Sequence, residues 1–241
     1  MPLDIKALLP IIESKPHWRI NFCPAQYRKR IDVPGKAFDL IRKTSINWEH
    51  RYYPHLSNQP DNQIRESEYV ASGYSSVMID CWLLYFSGQF LHLFQVVENA
   101  DASTKEKMKQ WALNQWSGDP NAIPGFIHIT ELLHICAKVL EFAARLTEAG
   151  LYNDKTTISI QLNKVKGFVL IEIPGLNLRD DYLATSDKIN WEWSGNPQEI
   201  LAKTDELALK AACYLLEQFR WDNLPVDAFR NLQAKILSVR R

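Results

Sequence analysis

The stretch VMIDCWLLYFSGQFLHLFQVV, Val77 to Val97, constrains this chain more than any other, because it is apolar at most positions. A run of about twenty such residues is long enough to cross a bilayer as a helix. Ser87-Gly88 cuts it near the middle, however, and Asp80, Gln89, His92 and Gln95 interrupt it. Burying those groups in lipid is costly, so the segment reads as a soluble β-hairpin. Ser-Gly between two aromatic-rich segments is a two-residue turn signal, since glycine accepts the positive φ that such turns require. Centred there, the hairpin opposes Leu84 to Leu91, Trp82 to Leu93 and Asp80 to Gln95 on one face. The other face opposes Tyr85 to Phe90, Leu83 to His92 and Cys81 to Phe94. Cys81 and His92 then share a face, which a thiol–imidazole dyad would need, although two buried neighbours are the simpler expectation. Neither face is polar at its centre, so both must be covered.

What covers them is legible in the remaining periodicity. Residues 3–14 are amphipathic, with Pro10 arguing against one long helix. HWRINFC (His17 to Cys23) alternates as a strand does. Asp32-Val-Pro34 starts a short helix to Ile41, and Asp101 to Trp116 reads as another. Ile129 to Thr147 is the clearest amphipathic helix, closed by Gly150. TTISIQL (Thr156 to Leu162) and GFVLIEI (Gly167 to Ile173) alternate on either side of a short connection and predict a second hairpin. Pro174 to Trp193 reads as irregular. Asn196-Pro197-Gln198-Glu199 has the pattern of a capping box opening a helix to about Phe219, and a last helix follows Pro225. The expectation is a single α+β domain over residues 1–241, with central antiparallel hairpins covered by amphipathic helices and a C-terminal helical pair.

Charge and motif content narrow the function classes. The formal net charge is zero, so no global field draws the chain to nucleic acid or anionic lipid, and self-association is favoured. Eight tryptophans suit a large core or a buried interface. Cys23, Cys81, Cys136 and Cys213 are widely spaced, which fits reduced core residues of a cytoplasmic protein. MPLDIKALLPIIESK has no basic stretch before its apolar part, which argues against a secretory signal. Neither GxGxxG nor GxxxxGK[ST] nor GxSxG occurs, so phosphate loops and a nucleophile elbow are unsupported. His128 and His134 are not spaced as stacked helical ligands, and no metal or cofactor is expected. Asp80 with Glu172 and Lys164 or Lys166 could be arranged as a nuclease site, but nothing in their spacing requires it. No catalytic residue is assigned.

Two segments remain as candidate surfaces. TSINWEHRYYPHLSNQPDNQ (Thr44 to Gln63) gathers Trp48, Tyr52 and Tyr53 with His50, Arg51 and His55. Aromatic side chains beside Arg suit a partner or ligand surface, while the plain alternative is that the aromatics plug one end of the core. Tyr27-Arg28-Lys29-Arg30 is the densest basic run. It reads as a solvated loop, or as a nucleic-acid contact in which Tyr27 stacks on a base.

WEHRYYPHL (Trp48 to Leu56), followed by YFSGQFLHLF (Tyr85 to Phe94), resembles the region C-terminal to the AlbA_2 domain in bacterial Schlafen-type, ATP-binding-like proteins. The likeness covers about residues 40–98, and the AlbA_2 domain itself has no counterpart in this chain. The resemblance implies an accessory or sensing module working beside nucleic-acid-handling partners. Together these observations predict a non-catalytic bacterial interaction module, a subunit with a protein partner or a homo-oligomer, with no membrane association. The alternative is a nucleic-acid-binding factor or hydrolase using the Arg28–Arg30 and His50–His55 regions.

Overall fold

The computed structural model describes residues 4–48, 51–55, 63–75, 79–96, 102–112, 119, 122–171 and 182–238. In chain order, α1 (Ile5–Glu13) and β1 (His17–Pro24) lead to α2 (Pro34–Thr44) and the ribbon strands β2 (Ile46–Trp48) and β3 (Arg51–Tyr53). There follow β4 (Gln63–Arg65), β5 (Tyr69–Ser75), β6 (Ile79–Tyr85), β7 (Phe90–Gln95), α3 (Ala102–Ala112) and β8 (Phe126–His128). The chain continues through α4 (Ile129–Glu148), β9 (Thr156–Asn163), β10 (Val169–Ile171), β11 (Lys188–Gly195), α5 (Pro197–Glu217) and α6 (Val226–Ser238). The fold is α+β. Seven strands form one sheet in the order β11-β9-β1-β7-β6-β5-β4, antiparallel at every pairing.

The β6–β7 hairpin forms, with a loop one residue longer than the sequence predicts. Tyr85 N donates to Gln89 O at 2.8 Å, Gly88 N donates to Tyr85 O at 2.9 Å, and Gly88 has φ +90°. Phe86-Ser87-Gly88 is therefore a three-residue loop whose last position is a left-handed glycine. Each pairing shifts by one, so that Leu84 opposes Phe90, Trp82 opposes His92 and Asp80 opposes Phe94. Cys81 now faces the side opposite to His92, which removes the thiol–imidazole pairing. With apolar residues on both faces, the polar alternation that normally fixes register was missing.

Each face has its own cover. On the inner face, Phe22, Ile160, Trp82, Phe90 and their neighbours form the main core with α2, α4, α5 and α6. On the outer face, Ile5, Leu8 and Ile12 of α1 pack on Ala71, Cys81, Leu83 and Leu93. Burying each of those three α1 side chains is worth roughly 1.5–3 kcal/mol. Pro10 lies inside α1, which Asp4 caps by accepting from the amides of Lys6 and Ala7. The helix tolerates the proline because Pro10 and Lys6, whose carbonyl loses its helical donor, both face solvent.

The predicted second hairpin does not form. β9 lies between β1 and β11, while residues 169–171 pair in parallel with β8. The competitor is β11, which lies in the stretch read as irregular. Its Ile189, Trp191 and Trp193 stand opposite Leu162, Ile160 and Ile158 on the inner face, so it completes the apolar layer. Helix signals were more reliable. Asn196 Oδ1 accepts from Glu199 N at 2.9 Å and Glu199 Oε2 accepts from Asn196 N at 3.0 Å, which is the expected capping box. Gly150, at φ +82°, ends α4, with Leu151 N returning to Leu146 O. Among the described residues no helix is long and apolar enough to cross a membrane.

Candidate functional site

The aromatic segment splits by alternation in the β2–β3 ribbon. Ile46, Trp48 and Tyr53 are buried, whereas Asn47 and Tyr52 face out, Tyr52 at 53% exposure. His55 is exposed and its carbonyl accepts from Trp82 Nε1 at 2.8 Å. Arg51 lies on β3, but its side chain, like the whole of His50, is outside the described residues. The structure therefore places Trp48 and Tyr53 in the core and leaves Tyr52 and His55 as the described surface of this segment.

Tyr53 belongs to a closed polar cluster. His92 donates from Nε2 to Asp80 Oδ2 at 3.1 Å, and its ring lies 5.2 Å from that of Tyr53. Burial first, and the Asp80 charge second, raise the Tyr53 hydroxyl well above the usual tyrosine range. Tyr53 Oη and His92 Nδ1 are both buried with no hydrogen-bond partner among the described residues. An unpaired buried hydroxyl costs about 1–3 kcal/mol. Tyr53→Phe, which removes it without changing the ring, is expected to stabilise the fold by about 1 kcal/mol. A rise in the urea midpoint checks this, and a fall of similar size would show that the hydroxyl is bonded. The nuclease arrangement is not assembled, since Asp80 on β6 is separated by β7 and β1 from β9, which ends beside Lys164. Glu172 lies outside the described residues.

The basic run divides as well. Arg30 turns inward, its side chain only 5% exposed, and Nη2 bonds both Asp154 oxygens at 2.9 and 2.7 Å. Nη1 donates to Leu151 O and Asn153 Oδ1. This guanidinium holds the 151–154 segment against the hairpin tip. Arg28 donates to Asn153 Oδ1 at 2.8 Å from an exposed position, and Lys29 is exposed. Tyr27 is 73% exposed and its hydroxyl donates to Gln89 Oε1.

That last bond leads to the surface the sequence reading missed. Gln89 closes the hairpin tip opposite Tyr85 and donates to Asn21 Oδ1 at 3.1 Å. Tyr85 and Tyr69 are cross-strand partners with ring centroids 5.5 Å apart. Both are half-buried, and desolvation raises their hydroxyl pKa values. Leu9, Ile64 and Leu91, also half-buried, continue the patch toward α1. Tyr69 and Tyr85 meet only through the β5–β6 register, which no local signal in the sequence sets.

The remaining polar groups are dispersed. Among the described residues no group of three His, Cys, Asp or Glu side chains could hold a metal ion. All four cysteines are free, and burial pushes the Cys81 and Cys136 thiols far up. The class these features define is an α+β protein with a helix-covered antiparallel sheet and a tyrosine-lined hairpin tip. Comparison with protein-family models, with curated proteins and with solved structures finds no match.

Proposed function

We propose that the chain is a non-catalytic interaction module, a bacterial cytoplasmic subunit that binds a protein partner or a second copy through the outer face of the hairpin tip. The observation that carries this reading is the patch of Tyr27, Tyr69 and Tyr85 continued by Leu9, Ile64 and Leu91, none of which is buried. Tyrosine supplies a large, stiff contact area with a polar end, which is why it is enriched at binding surfaces. Zero net charge lowers the repulsion that would keep copies apart. The resemblance of YFSGQFLHLF to the region following AlbA_2 domains covers this same tip, and supports an accessory role beside nucleic-acid-handling proteins. Tyr52 and His55, both exposed, are a second candidate contact.

Light scattering on a sizing column, alone and after affinity capture from the native host, tests the proposal. The expected result is a dimer or a stoichiometric complex that Tyr27→Ala/Tyr85→Lys weakens by at least about tenfold, or 1.4 kcal/mol. Unchanged thermal unfolding of that variant shows that the fold is retained. A monomer that captures no protein overturns the reading. Capture of RNA alone, released by salt, also overturns it in favour of a nucleic-acid contact through Tyr27, Arg28 and Lys29.

A further inference from the structure

α1 covers only the part of the outer face around the hairpin. Beyond it, β1, β9 and β11 present a polar surface that forms a cleft of about 540 Å³. That volume is in the range of small-molecule sites. His17, Asn163, Lys164, Asp187 and Lys188 line it, and the Arg19–Glu13 ion pair, at 3.1 Å, closes one side.

Three observations distinguish this cleft from a plain solvated sheet face. His17 is 4% exposed, and its Nδ1 donates to the Lys15 carbonyl at 2.7 Å. The ring is thereby fixed in the tautomer whose Nε2 carries a lone pair, and no described residue bonds to that atom. Burial lowers the His17 pKa, so the ring remains a neutral acceptor near pH 7. Next to it, Asn163 Nδ2 is a buried donor with no hydrogen-bond partner among the described residues. Register puts Asn163 directly opposite His17, on the same face of the sheet. Buried polar groups are rarely left so. Finally, Lys164 and Lys188 are exposed at the mouth and form no ion pair with a described residue. Lys164 holds a left-handed φ of +59°, unusual for a side chain of its size.

We infer that this cleft binds a small hydroxylated anion, a sugar-sized phosphate or carboxylate, with Lys164 and Lys188 on the anionic group, His17 Nε2 accepting from a hydroxyl and Asn163 donating to an oxygen. Lys164 and Lys188 outnumber the neighbouring Asp187 and select the charge, while the neutral His17 acceptor and the Asn163 amide select the hydroxylated body. A bare polyol lacks the ion contacts and a bare anion lacks the hydroxyl contacts, so each binds less well than the two joined.

Calorimetric titration with ribose 5-phosphate, gluconate, ribose and inorganic phosphate tests this on the full chain. Saturable binding of ribose 5-phosphate or gluconate is expected, tighter by at least about tenfold than that of ribose or inorganic phosphate. Ribose 5-phosphate alone identifies the phosphate class and gluconate alone the carboxylate class. Lys164→Ala/Lys188→Ala, at two exposed positions, is expected to lower that affinity by about tenfold or more without altering thermal unfolding. The His17 ring resonance, assigned with His17→Gln, is expected to move on titration. The inference is overturned by no saturable binding of either hydroxylated anion below about 10 mM. It is equally overturned if inorganic phosphate binds as tightly, or if the double variant binds unchanged.

Discussion

Arg30→Met is expected to destabilise the protein by about 3 kcal/mol, read as a fall in the urea midpoint at unchanged slope. The magnitude follows from what the substitution leaves behind. Asp154 is 16% exposed and both its carboxylate oxygens face Arg30, so losing the guanidinium strands a mostly buried charge. Leu151 O loses a donor in the same step, as does Gln26 O. Methionine replaces much of the aliphatic stem, which keeps the loss electrostatic and not one of packing. The partner experiment separates the two. Arg30→Met/Asp154→Leu removes both charges, and it is expected to recover more than half of the loss, because a buried pair is worth little against an apolar replacement. A single-variant loss below about 1 kcal/mol would mean that the pair behaves as a solvated surface bridge.

Arg30 also shows where the sequence stops being informative. PAQYRKR reads as one basic loop, because nothing in it records that Asp154, far along the chain, waits opposite one of its three cations. The same holds for TSINWEHRYYPHL, in which alternation across a short ribbon buries Trp48 and Tyr53 and exposes Tyr52. Had that run been read as two strands, the division would have been visible. Local signals held wherever they were strong, as in the Asn196 capping box and the Gly150 terminus. The polar cleft was illegible for a different reason. Its residues come mainly from β1, the end of β9 with the turn after it, and the start of β11, and only strand order brings them together.

Phe90→Ala is expected to cost about 3–5 kcal/mol, the range for truncating a fully buried aromatic side chain. Phe90 is 0% exposed and its ring meets four others: Phe142 at 5.0 Å, Phe22 at 5.4 Å, His92 at 6.0 Å and Trp82 at 6.4 Å. These come from α4, β1, β6 and its own strand, so the ring joins the hairpin to the helix layer. Leu91, the next residue, points to the outer face and is half-buried, and Leu91→Ala is expected to cost less, about 1–2 kcal/mol. The contrast alone does not identify the hairpin register, because neighbours on a strand alternate in either pairing. A double-mutant cycle does. With a three-residue loop Phe90 shares a face with Trp82, and Phe90→Leu with Trp82→Phe is expected to show a coupling of about 0.5–1.5 kcal/mol. With a two-residue loop Phe90 would share the face of Leu83 instead. Coupling to Leu83→Ala above about 0.5 kcal/mol, with none to Trp82, would restore that register and return Cys81 and His92 to one face.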